Sequence, residues 1–245
     1  MEKLELTLTK SNFMLYDWCS YKYKRVAIDK ERQPATPEMF AGIKKHTAHD
    51  ECIAAIVLDE VVQLELKDKI AYVRSKLPEE EDAIYDSMAK HEAMKLELMT
   101  DNLDLFKPKI VEKTYTKLLI DRDDVALTIK GRPDHIYMED DGYYNIMELK
   151  SGKWNPTYMT SKIRKELVFY YLLLDGQLDA EIKYISWFFP KEDHFDSEVI
   201  KKRTVTAVMK NLEKIIEAHQ TMDFSAQYYD KKCGSCHLLS ECIFK

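Results

Sequence analysis

A short turn near the middle of the chain constrains how two neighbouring strands can pair. Residues 125–138 and 143–150 alternate between apolar and polar side chains, and Asp140-Asp141-Gly142 separates them. This pattern predicts an antiparallel β-hairpin. With a three-residue turn, Asp134 lies directly opposite Glu148, with Cβ atoms roughly 4.5–5.5 Å apart. We therefore expect the two carboxylates on one face of the sheet.

A lysine and apolar residues share that face. Lys150 is two residues beyond Glu148, and Ile136 lies opposite Ile146 on the same side of the strands. Burying two unpaired carboxylates is costly, and a divalent cation offsets that cost. Carboxylate oxygens suit Mg²⁺ or Mn²⁺, which bind phosphate oxygens and activate water. The pattern favours such a site over the alternative, a solvated Glu–Lys pair on an exposed strand.

Four of the five cysteines form a second pattern. Cys233, Cys236 and Cys242 lie near the end of the chain as C-x2-C-x5-C, and Cys19 lies near its start. The tight spacings let neighbouring thiolates converge on one metal centre, and a remote fourth ligand completes a four-sulfur shell. This spacing is typical of an iron–sulfur cluster, with a structural zinc ion as the alternative. Cys52 fits no such set and is expected to be a buried helix residue.

Charge and hydropathy limit the classes of function. The net charge of −6 and the pI of about 5.7 argue against broad, non-specific coating of nucleic acid, although they allow a local basic groove. The chain start has no apolar signal core, and no apolar run approaches the roughly 18 residues of a membrane span. With an odd cysteine count as well, we expect a cytoplasmic protein with no membrane contact.

The rest of the pattern predicts an α/β fold with long helices and few loops, since the chain has only 6 Gly and 7 Pro. Ser11 is the expected N-cap of an aromatic-rich helix that carries Cys19. We expect this helix over residues 12–25, further helices over 38–77, 79–105, 160–174 and 196–220, and further strands over 112–120 and 182–189.

In this order the residues resemble the PD-(D/E)XK nucleases, in the branch shared by the nuclease domains of RecB and AddB and the CRISPR-associated exonucleases of the Cas four family. Gly131-Arg132-Pro133-Asp134 and Glu148-Leu149-Lys150 match the hairpin motif, and Gly42-Ile43-Lys44-Lys45-His46 matches a G-x-x-x-H motif at a helix start. The resemblance implies a metal site at His46, Asp134, Glu148 and Leu149. His49, one helical turn on, is the alternative to His46.

The resemblance also assigns catalytic roles to Asp134, Glu148, Lys150 and Tyr170. Tyr170 matches the tyrosine of a Q-x-x-x-Y motif, but Glu166 stands where that branch has glutamine. A carboxylate there repels phosphate unless it binds a metal or pairs with a base.

For the cysteines, the resemblance implies a [4Fe–4S] cluster that ties the two chain ends together. Cys19, Cys233, Cys236 and Cys242 would be its ligands, and Ser20 replaces the proline that often follows the first of them. Basic and aromatic residues are further candidates for contact with a DNA strand, against the alternative of a solvated helix surface. They are Tyr21, Lys22, Tyr23, Lys24, Arg25, Trp154, Lys162, Arg164 and Lys165.

The implied fold is a restriction-endonuclease-like α/β core, a mixed central sheet flanked by helices, in a single nuclease domain over residues 1–245. Within it we expect a helical insertion over 38–105 that carries His46, a catalytic core over 108–195, and a cluster module from 1–30 plus 225–245. The implied activity is Mg²⁺- or Mn²⁺-dependent exonucleolytic hydrolysis of single-stranded DNA ends. An integrase, helicase or recombinase is the implied partner, in CRISPR adaptation, phage replication or repair. The alternative is a non-catalytic DNA-end-binding or adaptor subunit of a CRISPR-adaptation or recombination complex.

Overall fold

Two mixed β-sheets form the centre of the fold, and helices flank them. The computed structural model describes residues 2–31, 35–80, 82–99, 101–157, 159–226 and 228–244. The strands are β1 (Leu4–Thr9), β2 (Ile110–Val111), β3 (Tyr115–Asp121), β4 (Val125–Gly131), β5 (His135–Met138), β6 (Tyr144–Leu149), β7 (Ile182–Phe189) and β8 (His194–Val199). The α-helices are α1 (Lys10–Trp18), α2 (Ser20–Tyr23), α3 (Pro37–Ala55), α4 (Leu58–Val61), α5 (Leu66–Arg74), α6 (Ala83–Leu98), α7 (Met159–Leu174), α8 (Lys202–Thr221) and α9 (Asp230–Cys233). A π-helical turn at Lys24–Ile28 follows α2, and 3-10 turns lie at Leu103–Leu105, Pro190–Glu192 and Leu239–Glu241.

Each sheet combines parallel and antiparallel pairing. The smaller sheet has the order β1-β4-β3, with β1 parallel and β3 antiparallel to β4. The larger sheet has the order β2-β5-β6-β7-β8, in which only β6 and β7 pair in parallel. Because β6 and β7 are parallel, a crossover must join them, and α7 supplies it. The α/β class predicted from the sequence is confirmed.

The larger sheet separates two hydrophobic cores. On one face Ile136, Ile146 and Trp187 pack with residues of α7 and α8. On the other face Tyr137 and Met147 pack with α3, α5 and α6. The sequence predicts a helical insertion over residues 38–105. This segment folds into helices α3 to α6, which make up one layer of the fold. Among the described residues, no helix is long and apolar enough to cross a membrane.

The single strand predicted over residues 125–138 is wrong. This segment forms β4 and β5, which belong to different sheets and are joined by Arg132-Pro133-Asp134. Pro133 has no N–H to donate to a strand ladder, so pairing ends there. Gly131 is the last residue of β4. A Cβ at this position would lie 2.8 Å from Cε1 of Tyr170, so the close approach of the Tyr170 ring requires glycine here.

The boundaries near both chain ends also differ from prediction. Residues 4–9 form the unpredicted strand β1, and the N-cap of α1 is Thr9, not Ser11, since Thr9 Oγ1 accepts a hydrogen bond from the Asn12 N–H at 3.2 Å. The predicted helix over 12–25 is interrupted at Cys19, whose backbone is extended. The segment 196–199 lies in β8, so the helix predicted from residue 196 begins only at Lys202. β1 depends on β4, a partner distant in sequence that local patterns do not reveal, whereas β8 pairs with its chain neighbour β7.

Candidate functional site

The hairpin has the register that the turn predicts. Glu139 and Tyr143 close the turn through a hydrogen bond of 2.9 Å, and Gly142 has a φ of +80°. Ile136 pairs with Ile146, as expected. Continued by two residues, this register places Asp134 opposite Glu148.

Glu148 is the buried centre of the candidate site, with a relative exposure of 2%. Its Oε1 accepts hydrogen bonds from Lys150 Nζ at 2.6 Å and from Lys10 Nζ at 3.3 Å. Its Oε2 is buried, and no described residue forms a hydrogen bond with it. An unsatisfied carboxylate oxygen of this kind is costly in a protein interior, and it is a ready ligand for a cation.

Two lysines bridge Glu148 to a second buried carboxylate, Glu166. Glu166 Oε1 accepts a hydrogen bond from Lys150 Nζ at 2.8 Å and another from Lys10 Nζ. Burial opposes ionisation of Glu166, but Lys150 and Lys10 outweigh it and hold the pKa of Glu166 below its usual range. The Glu166 carboxylate is therefore paired with two lysines of the same chain.

Asp134 and His46 meet beside this cluster. His46 Nδ1 lies 3.5 Å from Asp134 Oδ2, and the same Oδ2 accepts a hydrogen bond from the Leu149 N–H at 3.0 Å. Burial, and then the charge of Glu148, raise the pKa of Asp134 well above its usual range. Burial, and then Lys150, lower the pKa of His46 to about 4. His46 is therefore neutral near pH 7, the state in which an imidazole can bind a metal.

The structure separates the two histidine candidates. His46 lies against Asp134, whereas His49 Nε2 lies 3.0 Å from Glu92 Oε1 in the helical core. Leu149, the remaining candidate ligand, could offer a cation only its main-chain carbonyl, since its buried side chain packs in the second core.

Tyr170 braces the segment that carries Asp134. Its hydroxyl donates to the Arg132 carbonyl at 2.8 Å, and its ring lies 5.5 Å from Lys10 Nζ. Burial, and then Glu148, raise the pKa of Tyr170 above its usual range, so the phenol stays protonated. This geometry is that of a positioning residue, and the catalytic role of Tyr170 stays a prediction.

A cleft of about 230 Å³ opens beside the lysine pair. Its lining combines basic and apolar side chains from α1 and α7 with Lys150. The lining residues are Lys10, Ser11, Met14, Lys150, Met159, Lys162, Ile163 and Glu166. Three cations at one cleft suit an entering phosphate.

Most of the other residues proposed to contact DNA have partners within the protein. Arg164 pairs with Glu198, and Lys165 pairs with Asp17 at 2.7 Å. The ring of Trp154 stacks on a histidine at 4.2 Å between centroids. Of this group in α7, Lys162 is the one that lines the cleft.

The two chain ends contact each other around the cysteines. Ser20 Oγ donates to the Ser225 carbonyl at 2.6 Å, and Arg25 pairs with Glu241 at 2.8 Å. All five cysteines are free, and Cys52 is fully buried in α3, as expected. Across the described ranges, no three cysteines bring their sulfur atoms within 4.8 Å of one another. The four predicted ligands thus lie on touching segments, but their thiols are not gathered in one group of that size.

Two features of the candidate site and its surroundings cannot be predicted from the local sequence. Lys10, the first residue of α1, reaches Glu148 from 138 positions away. His49, Asp50 and His135 form a group whose potential ligand atoms lie within 4.8 Å of one another. Only the parallel pairing of β1 with β4, and the packing of α3 on the larger sheet, bring these residues together.

Comparison with known proteins concerns the fold alone. No family model and no curated protein matches the chain. It is similar to 24 chains of solved structures. One of them, described as "Crystal structure of SSO0001", is 14% identical with a TM-score of 0.51, over 100% of this chain and 90% of that one. At this identity the likeness supports a mixed α/β core flanked by helices.

Proposed function

We propose that this protein is a metal-dependent DNA nuclease of the PD-(D/E)XK type that removes nucleotides from single-stranded ends. The observation that carries the proposal is the buried, unpartnered Oε2 of Glu148 beside Asp134, with Lys150 on the same face. A purely structural Glu–Lys pair would have no need of a second, partly buried carboxylate, that of Asp134, tied to the Leu149 N–H.

The charge balance favours a divalent cation. The three carboxylates of Asp134, Glu148 and Glu166 face the two ammonium groups of Lys10 and Lys150. With all three carboxylates ionised, this leaves one net negative charge in a partly buried cluster. Asp134 gives up its proton readily only when a nearby positive charge offsets the cost. The donor set therefore fits Mg²⁺ or Mn²⁺.

In this proposal His46, Asp134, Glu148 and the Leu149 carbonyl hold the cation. When bound, it would polarise the scissile phosphate and lower the pKa of a coordinated water. Burial lowers the pKa of Lys150, but Glu148 and Glu166 outweigh it and raise this pKa above its usual value. Lys150 is thus a permanent cation that stabilises negative charge on the phosphate, and it is poorly suited to act as a general base.

Two features favour a single strand as the substrate. The cleft is smaller than the roughly 300–1,000 Å³ of a small-molecule pocket, which suits one backbone phosphate. On the turn of α3 before His46, Met39, Phe40 and Ile43 are 51%, 64% and 63% exposed. An exposed aromatic ring beside a phosphate site can stack an unpaired base. The same apolar turn could instead dock a partner such as an integrase, helicase or recombinase.

We also propose a [4Fe–4S] cluster between the chain ends, held by Cys19, Cys233, Cys236 and Cys242. The all-thiol donor set fits such a cluster, the thiols are free, and the segments that carry them are in contact. Cluster assembly would draw the sulfur atoms together on short elements joined by turns. A zinc ion in the same shell is the alternative.

End-labelled DNA tests the proposed activity. We expect the purified protein to release nucleotides from linear single strands in Mn²⁺ or Mg²⁺, and to stop when a chelator is added. Circular single strands are the control and should stay intact. Binding of the linear strand without release in either metal would favour the non-catalytic end-binding alternative.

Lys10→Ala is expected to lower the cleavage rate by about 10- to 100-fold, the usual effect of losing a partner of a metal-binding carboxylate. The substitution removes a cation from both Glu148 and Glu166. Since it removes positive charge beside the site, Mn²⁺ should bind at least as tightly, as measured by calorimetry. Lys3→Ala, at a lysine that pairs with Asp121 on the surface, is the matched control and should cleave normally. Weaker Mn²⁺ binding by the Lys10 variant would contradict this role.

A further inference from the structure

A second group of metal-binding side chains lies behind the candidate site. His49 and Asp50 come from α3, and His135 is the first residue of β5. One potential ligand atom from each lies within 4.8 Å of the other two. His49 and His135 are 0% and 1% exposed, and their rings meet edge to face with centroids 5.5 Å apart.

Both imidazoles have one nitrogen oriented by a carboxylate and one left over. His135 Nε2 lies 2.7 Å from Asp50 Oδ1, and His49 Nε2 lies 3.0 Å from Glu92 Oε1. A carboxylate accepts, so each Nε2 carries the proton and each Nδ1 carries a lone pair. Both Nδ1 atoms and Glu92 Oε2 are buried, with no hydrogen-bond partner in the described part of the chain. Buried acceptors without a partner are costly, and a cation bound between the imidazoles would offset part of that cost.

We propose that His49, His135 and Asp50 bind a zinc ion, with Glu92 as the carboxylate that orients His49; the ion would take the place of the hydrogen bond between His135 and Asp50. Two imidazoles with one or two carboxylates are typical zinc donors, whereas Mg²⁺ prefers an all-oxygen shell. Carboxylates that hold ligating histidines are a common feature of such sites. The side chain of Asp50 is 23% exposed, so an ion could reach the site from solvent on that side.

This zinc site is separate from the nuclease carboxylates. Successive side chains along a strand point to opposite faces, so Asp134 and His135 belong to opposite sides of the sheet. Accordingly His135 lies against Tyr137, a residue of the second core, with ring centroids 5.8 Å apart. Glu148 belongs to the face that carries Ile146, in the first core. The inference therefore stands whether or not the protein cleaves DNA.

The zinc ion would be structural. It would join α3, β5 and α6. His46 lies one turn before His49 on α3, and Asp134 directly precedes β5, so the ion would also fix the segments that carry these two residues. A buried, closed site of this kind stabilises the fold directly. Without the ion, the same residues would have to form a hydrogen-bond network with unsatisfied acceptors.

Zinc titration of the full chain tests the inference. The protein is first stripped with a chelator, then titrated with Zn²⁺ alone, and its zinc content is measured after gel filtration. Because the cysteines and the candidate active site could also bind zinc, the result is the difference between variants. Asp50→Asn and His135→Asn should each bind one equivalent less than wild type and lose part of the zinc-dependent rise in Tm.

Two controls separate this site from its neighbours. His194→Gln, at a histidine whose ring stacks on Trp154, should keep the wild-type zinc content. Asp134→Ala, which damages the proposed nuclease site, should keep the equivalent that Asp50→Asn loses. If His135→Asn fails to fold, the wild type itself gives the answer through the ring-nitrogen NMR signals of its histidines. Zn²⁺ should shift two histidine ring signals that are unshifted in Asp50→Asn. Equal zinc content in wild type and Asp50→Asn, with no such shifts, would overturn the proposal.

Discussion

Replacing Glu148 with glutamine is expected to lower the rate of DNA cleavage by at least about 10³-fold. Stabilisation of a transition state by a metal ion is worth several kcal/mol, and each 1.36 kcal/mol changes the rate about tenfold. The substitution keeps the shape of the side chain but removes the charge that holds the cation. It also replaces the unpartnered Oε2 with an amide or a neutral oxygen. Rates on end-labelled single strands, together with Mn²⁺ binding by calorimetry, measure both effects. Asp134→Asn should behave in the same way.

The loss should be chemical and not a failure to fold. Burial and the charge of Glu148 raise the pKa of Asp134, so removing one of these two carboxylates relieves a repulsion. The Tm of Glu148→Gln should therefore stay near that of wild type. Lys150→Ala is the contrasting variant, which should lose cleavage but still bind Mn²⁺. Glu213→Gln, on the surface beside Arg122, is the matched control. Near-normal cleavage by Glu148→Gln would remove Glu148 from the active site.

The hairpin could be predicted because its information is local. Gly142 sets the turn, and the period of two then fixes which side chains share a face, so the pairing of Ile136 with Ile146 followed from the sequence. The same reasoning failed at Pro133. Alternation of side chains continues on both sides of this residue, but it does not tell which sheet each half joins.

The partners of the carboxylates could not be predicted, since they depend on tertiary structure. Lys10 reaches Glu148 and Glu166 only because β1 pairs with β4 and leads directly into α1. A lysine after an unpredicted strand has no distinguishing local pattern. The placement of Lys10 explains how Glu166 can be buried as a carboxylate, since a buried carboxylate is tolerated when cations adjoin it.

His46 and His49 show a second limit of sequence reasoning. The two are three residues apart on one helix, so spacing alone put them on nearly the same face. In the structure His46 approaches Asp134 from one side, while His49 approaches His135 and Glu92. Asp134 and His135 are consecutive residues, so their side chains point to opposite faces of the sheet. Burial of both faces of the larger sheet, which the sequence did not indicate, is what gives neighbouring residues such different partners.

Replacing Cys19, Cys233, Cys236 or Cys242 with serine is expected to remove the visible absorbance of the cluster and to destabilise the whole chain. Thiolate-to-iron charge transfer should make the anaerobically purified wild type brown. A cluster would close a loop from Cys19 to the tail, and closing a loop of more than about 200 residues is worth on the order of 5 kcal/mol in the chain-entropy model used for disulfides. Absorbance, iron content and Tm measure the outcome. Each variant should lose solubility along with its colour.

Cys52 provides the matched control for this experiment. It is fully buried in α3, and its sulfur lies 3.6 Å from the Val73 carbonyl, away from the chain ends. Cys52→Ala should lower the Tm through a small cavity but keep the absorbance and the iron. Besides the contacts of Ser20 with Ser225 and of Arg25 with Glu241, Tyr21 packs on Phe244 and Lys232 lies over Trp18, so loss of a ligand should loosen the ends without removing every contact between them. If the wild type is colourless and these four cysteines bind a zinc ion, the cluster assignment is wrong. Zinc would then close the same loop.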